Sequence, residues 1–252
     1  MEPQIIIRWA TRADIPDIVK VLHANLLNFE LHEHFVPERR QYQDDFYSYL
    51  LRRIKLFFIK PETRYMVAES TTPATDGTQH TSIVGFSTWE AQGSENPLGK
   101  QWRQQRSGWA DALESSLVNL DLNYYRYFLN RIVDYQALAK ITERLHAPYE
   151  NDEQLRNCLH LQFLMVDPAW HRGGGVGKKL LRWGLEVADQ LNLPVVVESS
   201  LMGYEFYLKY GFRLFAKAHI DIVPEKAYDM PIVVYHPQQR AAKDGRAEKI
   251  SR

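Results

Sequence analysis

The segment from Val166 to Leu181 has the residue types of an anion-binding site. An apolar run leads into a glycine-rich turn, and a stretch with helical spacing follows. Glycine lets the backbone approach a ligand closely, and the first amides of a helix are unpaired and lie at the positive end of its dipole. Arg172 adds a fork of hydrogen-bond donors. The segment therefore predicts a cradle for phosphate or pyrophosphate; a glycine-rich turn without a ligand is the alternative.

Two common phosphate-binding motifs do not fit this segment. A P-loop requires Gly-x-x-x-x-Gly-Lys-Ser/Thr, but Arg172 occupies the first position and Lys179 the last. The dinucleotide fingerprint Gly-x-Gly-x-x-Gly requires glycine where the chain has Lys178 or Leu180. We therefore expect neither a P-loop nor a dinucleotide site.

A second segment further along the chain indicates which phosphate-containing ligand the glycine turn would bind. Glu198 ends an apolar run, and Tyr207 stands four residues before the pair Gly211-Phe212. This segment follows the spacing Arg-x-x-Gly-x-Gly at 172–177. Because both motifs occur in this order, the chain resembles the GNAT superfamily of N-acyltransferases. The resemblance spans most of the chain outside 91–158 and the tail.

The resemblance implies that acetyl-CoA is the co-substrate. In the family two neighbouring parallel strands splay apart and the pantetheine arm pairs with the first, which here corresponds to 159–166 beside 195–199. The pyrophosphate takes backbone amides of the glycine turn, with Arg172 shaping the loop. The implied binding residues are Leu164, Met165, Val166, Arg172, Gly173, Gly174, Gly175, Val176, Gly177, Lys178 and Ser199.

Two titratable residues are predicted to carry the acid–base chemistry. A primary amine must lose a proton before it attacks a thioester, and protonation stabilises the departing thiolate. By resemblance Tyr207 is the general acid; the alternative is a tyrosine packed within its helix. Glu198 is the predicted base, acting directly or through water, but a rim or helix-capping carboxylate fits its position equally well. Weaker candidates are Glu90, Asp167 and His160.

One departure from the family leaves some contacts open. Many relatives carry Asn-x-x-Ala before the tyrosine, whereas these positions are Leu201 and Tyr204 here. Contacts to pantetheine and to the acceptor at these positions are therefore not predicted.

The composition excludes several classes of partner. The chain has 31 Lys+Arg and 31 Asp+Glu, so we expect no nucleic-acid or membrane partner. A single cysteine, Cys158, excludes an intrachain disulfide framework, and the histidine spacing predicts no metal site. No secretory signal and no apolar run of about 18 residues is present. We expect a cytoplasmic protein, with a nuclear location also open.

Hydrophobic patterning predicts the elements that position these residues. Their order indicates an α/β fold with a mixed central sheet. The resemblance implies that this sheet is of GNAT type with helices on both faces. We expect a single domain over 1–236 with an insertion at about 91–158 and a disordered tail at 237–252. Strands are predicted at 5–9, 65–69, 83–89, 159–166, 194–198, 212–222 and 232–235, and helices at 11–28, 42–59, 176–191 and 204–210, with a hairpin loop at 71–79.

The insertion has two parts with different patterns. Apolar residues recur at steps of three or four over 113–145, which predicts one or two long helices whose apolar stripe packs in the core. The polar stretch 92–109 is expected to be a long loop that covers the acceptor site, or else a connector whose tryptophans pack on the following helix. Three residues are predicted to line the acceptor site: Glu90, Trp102 and Trp109.

Together these features predict an acetyl-CoA-dependent N-acetyltransferase that moves an acetyl group to a primary amine by direct attack within a ternary complex. A non-catalytic acyl-CoA-binding or interaction protein and a protein-modifying acetyltransferase are the alternatives. The acceptor, a small-molecule amine or a protein amine, is not predicted, because the residues that would contact it lie in the insertion and loops. The oligomeric state is also left open.

Overall fold

A computed structural model describes residues 4–73, 79–171 and 174–237, which contain one mixed β-sheet. Its strands are β1 (Gln4–Trp9), β2 (Thr63–Pro73), β3 (Gln79–Gln92), β4 (Cys158–Val166), β5 (Val195–Glu198), β6 (Arg213–Ile220) and β7 (Tyr228–Tyr235). The strand order is β1-β2-β3-β4-β5-β7-β6. β4 and β5 run parallel, and the other neighbouring pairs are antiparallel.

Helices cover both faces of the sheet, as predicted. They are α1 (Ile15–Leu26), α2 (Gln43–Ile59), α3 (Pro97–Gln105), α4 (Trp109–Tyr124), α5 (Tyr135–His146), α6 (Val176–Leu191) and α7 (Leu201–Lys209). α1, α2 and α5 pack on the face that carries Phe86 and Val196. α3, α6 and α7 pack on the opposite face, which carries Leu161 and Val197.

The parallel strands β4 and β5 separate after a short junction. They pair at Leu159 with Val195 and at His160 with Val196. From there β5 continues its pairing with β7 up to Glu198, while β4 continues with β3. In the described residues, the β5-facing edge of β4 is therefore unpaired beyond His160, which leaves the predicted gap between the two strands.

The prediction of a long loop at 92–109 is wrong, because α3 lies within it. Asn96 caps this helix: its side-chain oxygen accepts hydrogen bonds from the amides of Leu98 and Gly99. Pro97 occupies the first helical position, where its missing N–H costs no hydrogen bond. The Asn-Pro pair is thus a helix start.

The expectation that the apolar stripe of the insertion packs in the core is wrong for α4. Ile141 of α5 is buried, but no residue of α4 is. The polar side of α4 faces the protein, where Glu114 pairs with Arg12 and Asp121 with Arg52. The large apolar side chains of α4 are exposed: Trp109, Leu113, Leu117, Leu120 and Tyr124.

Two expectations fall partly outside the described residues. The hairpin loop is shorter than predicted, since β2 runs to Pro73 and β3 begins at Gln79; residues 74–78 of that loop are not described. The predicted disordered tail falls almost wholly within the undescribed range 238–252. Within the described ranges, no helix combines the length and apolar character needed to cross a membrane.

Candidate functional site

The turn between β4 and α6 presents bare backbone. Gly174 and Gly175 have φ angles of 65° and 59°, in the left-handed region that favours glycine. A Cβ atom on Gly175 would meet no atom within 4 Å, so this side of the turn faces open space. α6 begins at Val176, and the first amides of a helix have no partner within it. The predicted residues Arg172 and Gly173 lie outside the described residues.

The strand that leads into this turn has one paired and one unpaired edge. Leu164 pairs with Ser87 and Val166 with Gly85 of β3. The side chains of Leu164 and Val166 pack against the layer of α6 and α7, and that of Met165 packs against the opposite layer. An unpaired edge is suited to a ligand that hydrogen-bonds as a strand does.

A cleft of about 590 Å³ lies between α6 and α7. Lys178, at the start of α6, lines it together with Arg182 and Lys209. Cations beside a helix N-terminus suit an anionic group. Glu186 and Asp189 also line the cleft, and Glu186 lies 3.6 Å from Nε of Arg182. The cation nearest the glycine turn is therefore Lys178.

Glu198 and His160 form a buried pair where β4 and β5 diverge. Oε2 of Glu198 lies 2.5 Å from Nε2 of His160. The hydroxyl of Tyr149, which precedes β4, donates to the other carboxylate oxygen. The side chains of His160 and Glu198 are 1% and 11% exposed, so water screens this pair poorly.

Glu198 and His160 shift each other's pKa values in opposite directions. Burial alone would raise the pKa of Glu198, but the charge and hydrogen bond of His160 and the hydrogen bond of Tyr149 lower it below its usual range. Burial alone would lower the pKa of His160, but the charge and hydrogen bond of Glu198 raise it. Glu198 is therefore ionised near neutral pH, and its charge favours a proton on the imidazole.

Polar side chains connect His160 to a surface cleft of about 490 Å³. The amide nitrogens of Gln92 and Gln162 lie 2.9 and 3.0 Å from Nδ1 of His160. Gln162 also donates to Glu90, whose other oxygen lies 3.7 Å from Nζ of Lys60. With amide donors at Nδ1, the neutral ring carries its proton on Nε2, toward Glu198. Glu90, Gln92 and Lys60 line the cleft.

Tyr207 approaches the same strand end from the opposite layer. It is 6% exposed and its ring packs against those of Phe206 and Phe212. Burial, together with the charge of Glu198, raises the pKa of Tyr207 above its usual value. The hydroxyl stays protonated near neutral pH and is available as a donor. The same packing is also what a purely structural tyrosine would have.

Neither of the two predicted tryptophans lies at this site. Trp102 is 5% exposed and its ring contacts those of Trp9 and Trp183, which fixes α3 on the layer opposite to His160. Trp109 is 81% exposed at the start of α4. Of the three residues predicted to line the acceptor site, the structure brings Glu90 into the cluster with His160.

Two other predicted residues have local partners. The side chain of Asp167 caps the short turn after β4 by accepting from the amide of Ala169 at 2.9 Å. Ser199 is 1% exposed, and its hydroxyl donates to the carbonyl of Ser200. Ser200 in turn caps α7, which is why that helix begins earlier than predicted.

Sequence reasoning did not select Tyr149, Gln92 and Gln162. A signal for the two glutamines was present, because polar residues alternate with apolar ones at 90 and 92 and again at 160 and 162. Such alternation places them on one face of adjacent strands, and Glu90 is paired with His160 in the register. Tyr149 lies outside any strand, and its contact with Glu198 has no local sequence signal.

The described residues contain no group of three or more His, Cys, Asp or Glu side chains placed to hold a metal ion. Cys158 is buried and burial raises the pKa of its thiol to about 12. A thiol with that pKa is a poor nucleophile near neutral pH.

Comparison with known proteins agrees with this geometry. Residues 101–212 match the family model described as "Acetyltransferase (GNAT) family". "Probable acyltransferase SID5" of Ajellomyces capsulatus is 35% identical over 68 residues, which are 25% of this chain and 49% of that protein. "Uncharacterized N-acetyltransferase C56E4.07" of Schizosaccharomyces pombe is 26% identical over 91 residues, 35% of this chain and 38% of that protein. The matched segments thus span less than half of either relative.

A solved structure shows the same fold. The crystal structure of histone acetyltransferase HPA2 and related acetyltransferase from Corynebacterium glutamicum aligns with a TM-score of 0.55 at 17% identity, covering 94% of this chain and 97% of that one. Residues 101–212 match the GNAT acetyltransferase family model, and the chain shares the fold of the solved acetyltransferase structure.

Proposed function

We propose that this protein transfers the acetyl group of acetyl-CoA to a primary amine by direct attack within a ternary complex. The proposal rests on one observation: the Glu198–His160 pair lies at the junction where β4 and β5 diverge, between the glycine turn and a surface cleft. An acid–base pair at that point suits a reaction that removes a proton from an amine beside a thioester.

The residues around the glycine turn fit acetyl-CoA. The open space beside Gly175 and the first amides of α6 suit the pyrophosphate. In the described residues, no strand pairs with the β5-facing edge of β4 along Leu164 to Val166, which suits the amide groups of pantetheine. The carbonyl of Val166 accepts from Nδ2 of Asn25 at 3.0 Å and from Nε2 of His171 at 2.9 Å. Acetyl-CoA supplies an activated acetyl group as a thioester. The chain's residues bind it, orient it and handle the protons.

The Glu198–His160 pair accepts the proton of the amine. A primary amine has a pKa near 10.4 and arrives as an ammonium ion, which has no free electron pair for attack. The negative charges of Glu198 and Glu90 attract that ion, and Oε2 of Glu198 takes up its proton, because Nε2 of the neutral His160 ring already carries one. Gln162 and Gln92 hold the ring through Nδ1.

Tyr207 supplies a proton to the departing thiolate. Its raised pKa keeps the Tyr207 hydroxyl protonated until the thiolate forms. Burial also raises the pKa of the CoA thiol, so a buried thiolate is basic enough to take the proton from the tyrosine. As the C–N bond forms and the C–S bond breaks, the attacking nitrogen releases its second proton to solvent, and solvent reprotonates Tyr207. Tyr207 and the Glu198–His160 pair thus approach the reaction from opposite layers of the sheet.

The test is to incubate the full chain with acetyl-CoA and a panel of primary amines, including an amine-bearing peptide, and to detect acetylated product by mass spectrometry. Product from any amine, dependent on the protein, supports the proposal. Tight binding of acetyl-CoA with no product from any amine would favour the non-catalytic binding protein. A product found with the peptide alone would favour the protein-modifying enzyme.

A further inference from the structure

The outer side of α4 and of the turn after it carries a row of exposed apolar side chains. Their exposed fractions run from 53% to 81%, and no residue of α4 is buried. Within α4 they are spaced by four, four, three and four residues, which keeps them on one side of the helix. We call this surface the α4 stripe; it consists of Trp109, Leu113, Leu117, Leu120, Tyr124, Tyr127 and Phe128.

Polar contacts on the inner side of α4 hold the stripe outward. Glu114 pairs with Arg12, and Asp121 lies 3.2 Å from Nε of Arg52. The guanidinium group of Arg52 also lies 4.4 Å from the ring centre of Tyr125. Turning the apolar side inward would break these contacts and leave Arg52, whose side chain is 19% exposed, without its carboxylate partner, which is costly. The outward orientation is therefore the one that this chain stabilises.

We propose that the α4 stripe binds the α4 stripe of a second copy, so that the protein is a homodimer. A standard interface buries about 800 Å² on each partner. Aromatic side chains bury about 150–250 Å² each, so the four aromatic residues of the stripe alone offer on the order of 500 Å². The three leucines and their small neighbours bring the stripe to the size that a stable dimer needs.

The charges around the stripe favour a second copy over a lipid surface. Interfacial membrane helices carry Lys and Arg beside their apolar face, but the outward neighbours within α4 are neutral: Ala112, Ser116, Asn119 and Asn123. Two of the acidic residues of α4, Glu114 and Asp121, are held by arginines of the protein body. The guanidinium group of Arg126, in the turn after α4, lies 5.8 Å from the ring centre of Tyr127 and 4.7 Å from that of Tyr135. Along α4 itself, two identical stripes can therefore approach without like-charge repulsion.

The first test measures the mass of the full chain by sedimentation equilibrium. We expect twice the chain mass of 29.5 kDa. The double variant Leu117→Glu/Leu120→Glu places two charges in the stripe and should weaken the dimer by at least 100-fold, with an unchanged circular dichroism spectrum. Leu214→Glu is the matched control: this leucine of the edge strand β6 is 45% exposed and lies outside the stripe. That control should remain a dimer.

The second test uses disulfide cross-linking and does not depend on a disruptive substitution. The chain's single cysteine, Cys158, is fully buried. Leu120 lies near the middle of the stripe, where a two-fold axis brings it beside its own copy. Leu120→Cys should therefore form a cross-linked dimer on mild oxidation, and Leu214→Cys should not.

Four results would overturn the proposal. They are a monomeric protein at 100-fold the concentration used for activity assays, a dimer unaffected by the double glutamate substitution, a dimer lost in Leu214→Glu, or a monomer that sediments with phosphatidylcholine vesicles through the stripe. The last result would assign the surface to a membrane. None of these outcomes depends on acetyl transfer, so the fate of this proposal is separate from that of the proposed function.

Discussion

Nε2 of His160 lies 2.5 Å from Oε2 of Glu198, across the short junction at which β4 and β5 are paired. The two residues come from different strands, one before and one after the glycine turn and α6. The fold thus brings an imidazole and a carboxylate together at the point where the strands separate. Their mutual pKa shifts follow from this contact, and so does the first prediction.

The pH dependence of kcat should report the pKa of His160. The active form has Glu198 ionised and His160 neutral, and Glu198 raises the pKa of His160 above 6.5. We therefore expect kcat to be full above this raised pKa and to fall as pH drops through it. In Glu198→Gln the charge is gone and burial lowers the pKa of His160, so the fall should move to lower pH. An unmoved acid limb in that variant would contradict the assignment.

Replacing Tyr207 by Phe should lower kcat by about 10²–10⁴-fold, because it removes a proton donor and keeps the ring. The affinity for acetyl-CoA, measured by calorimetry, should change little. Tyr228→Phe is a matched control, since its hydroxyl is also largely buried but lies on β7 near Met230. Full activity in Tyr207→Phe would mean that the tyrosine is structural and that water protonates the thiolate.

Gly175→Asn tests the glycine turn without straining it. Asparagine tolerates the left-handed φ of this position better than other residues do. Its side chain would enter the open space beside the turn, where we expect the pyrophosphate. The affinity for acetyl-CoA should fall at least tenfold while the melting temperature stays close to that of the wild type. Gly108→Asn, at the start of α4, should leave the affinity unchanged; equal affinity in both variants would place the phosphates elsewhere.

Gly184→Ala tests the packing of α6 on the sheet. A Cβ atom at Gly184 would overlap the indole ring of Trp89, which is fully buried. We expect a loss of about 1–3 kcal/mol in the free energy of unfolding, measured by urea denaturation. In Gly177→Ala the new Cβ would lie 3.5 Å from Phe206, an ordinary contact, so stability should hold or rise. Equal stability of the two variants would mean that Trp89 repacks freely.

The parts of the fold that depend on local pattern could be predicted from the sequence. The α6 helix has the predicted bounds of 176 and 191, because its apolar spacing and the glycines before it are local signals. The parallel pairing of β4 with β5 and the placement of Glu198 at the gap followed from the family resemblance. The start of α3 was missed although Asn96 and Pro97 form a local capping signal.

The features that could not be predicted depend on which side of a helix or strand packs against the rest of the protein. Periodicity alone does not determine that side. The stripe of α4 has the spacing of a core helix, yet its polar side faces inward because Arg12 and Arg52, from distant parts of the chain, pair with it. Trp102 was predicted to line the acceptor site, but its ring stacks on that of Trp183. Tyr149 reaches Glu198 from a loop. Such contacts follow from tertiary packing.

The most direct test of the proposed function is the amine-dependent release of free CoA thiol from acetyl-CoA, followed in the wild type and in Glu198→Gln. We expect release in the wild type that rises with amine concentration, and a kcat at least 100-fold lower in the variant, with acetyl-CoA still bound. A rate of thiol release that does not depend on amine concentration, or a variant with the kcat of the wild type, would contradict direct transfer assisted by Glu198.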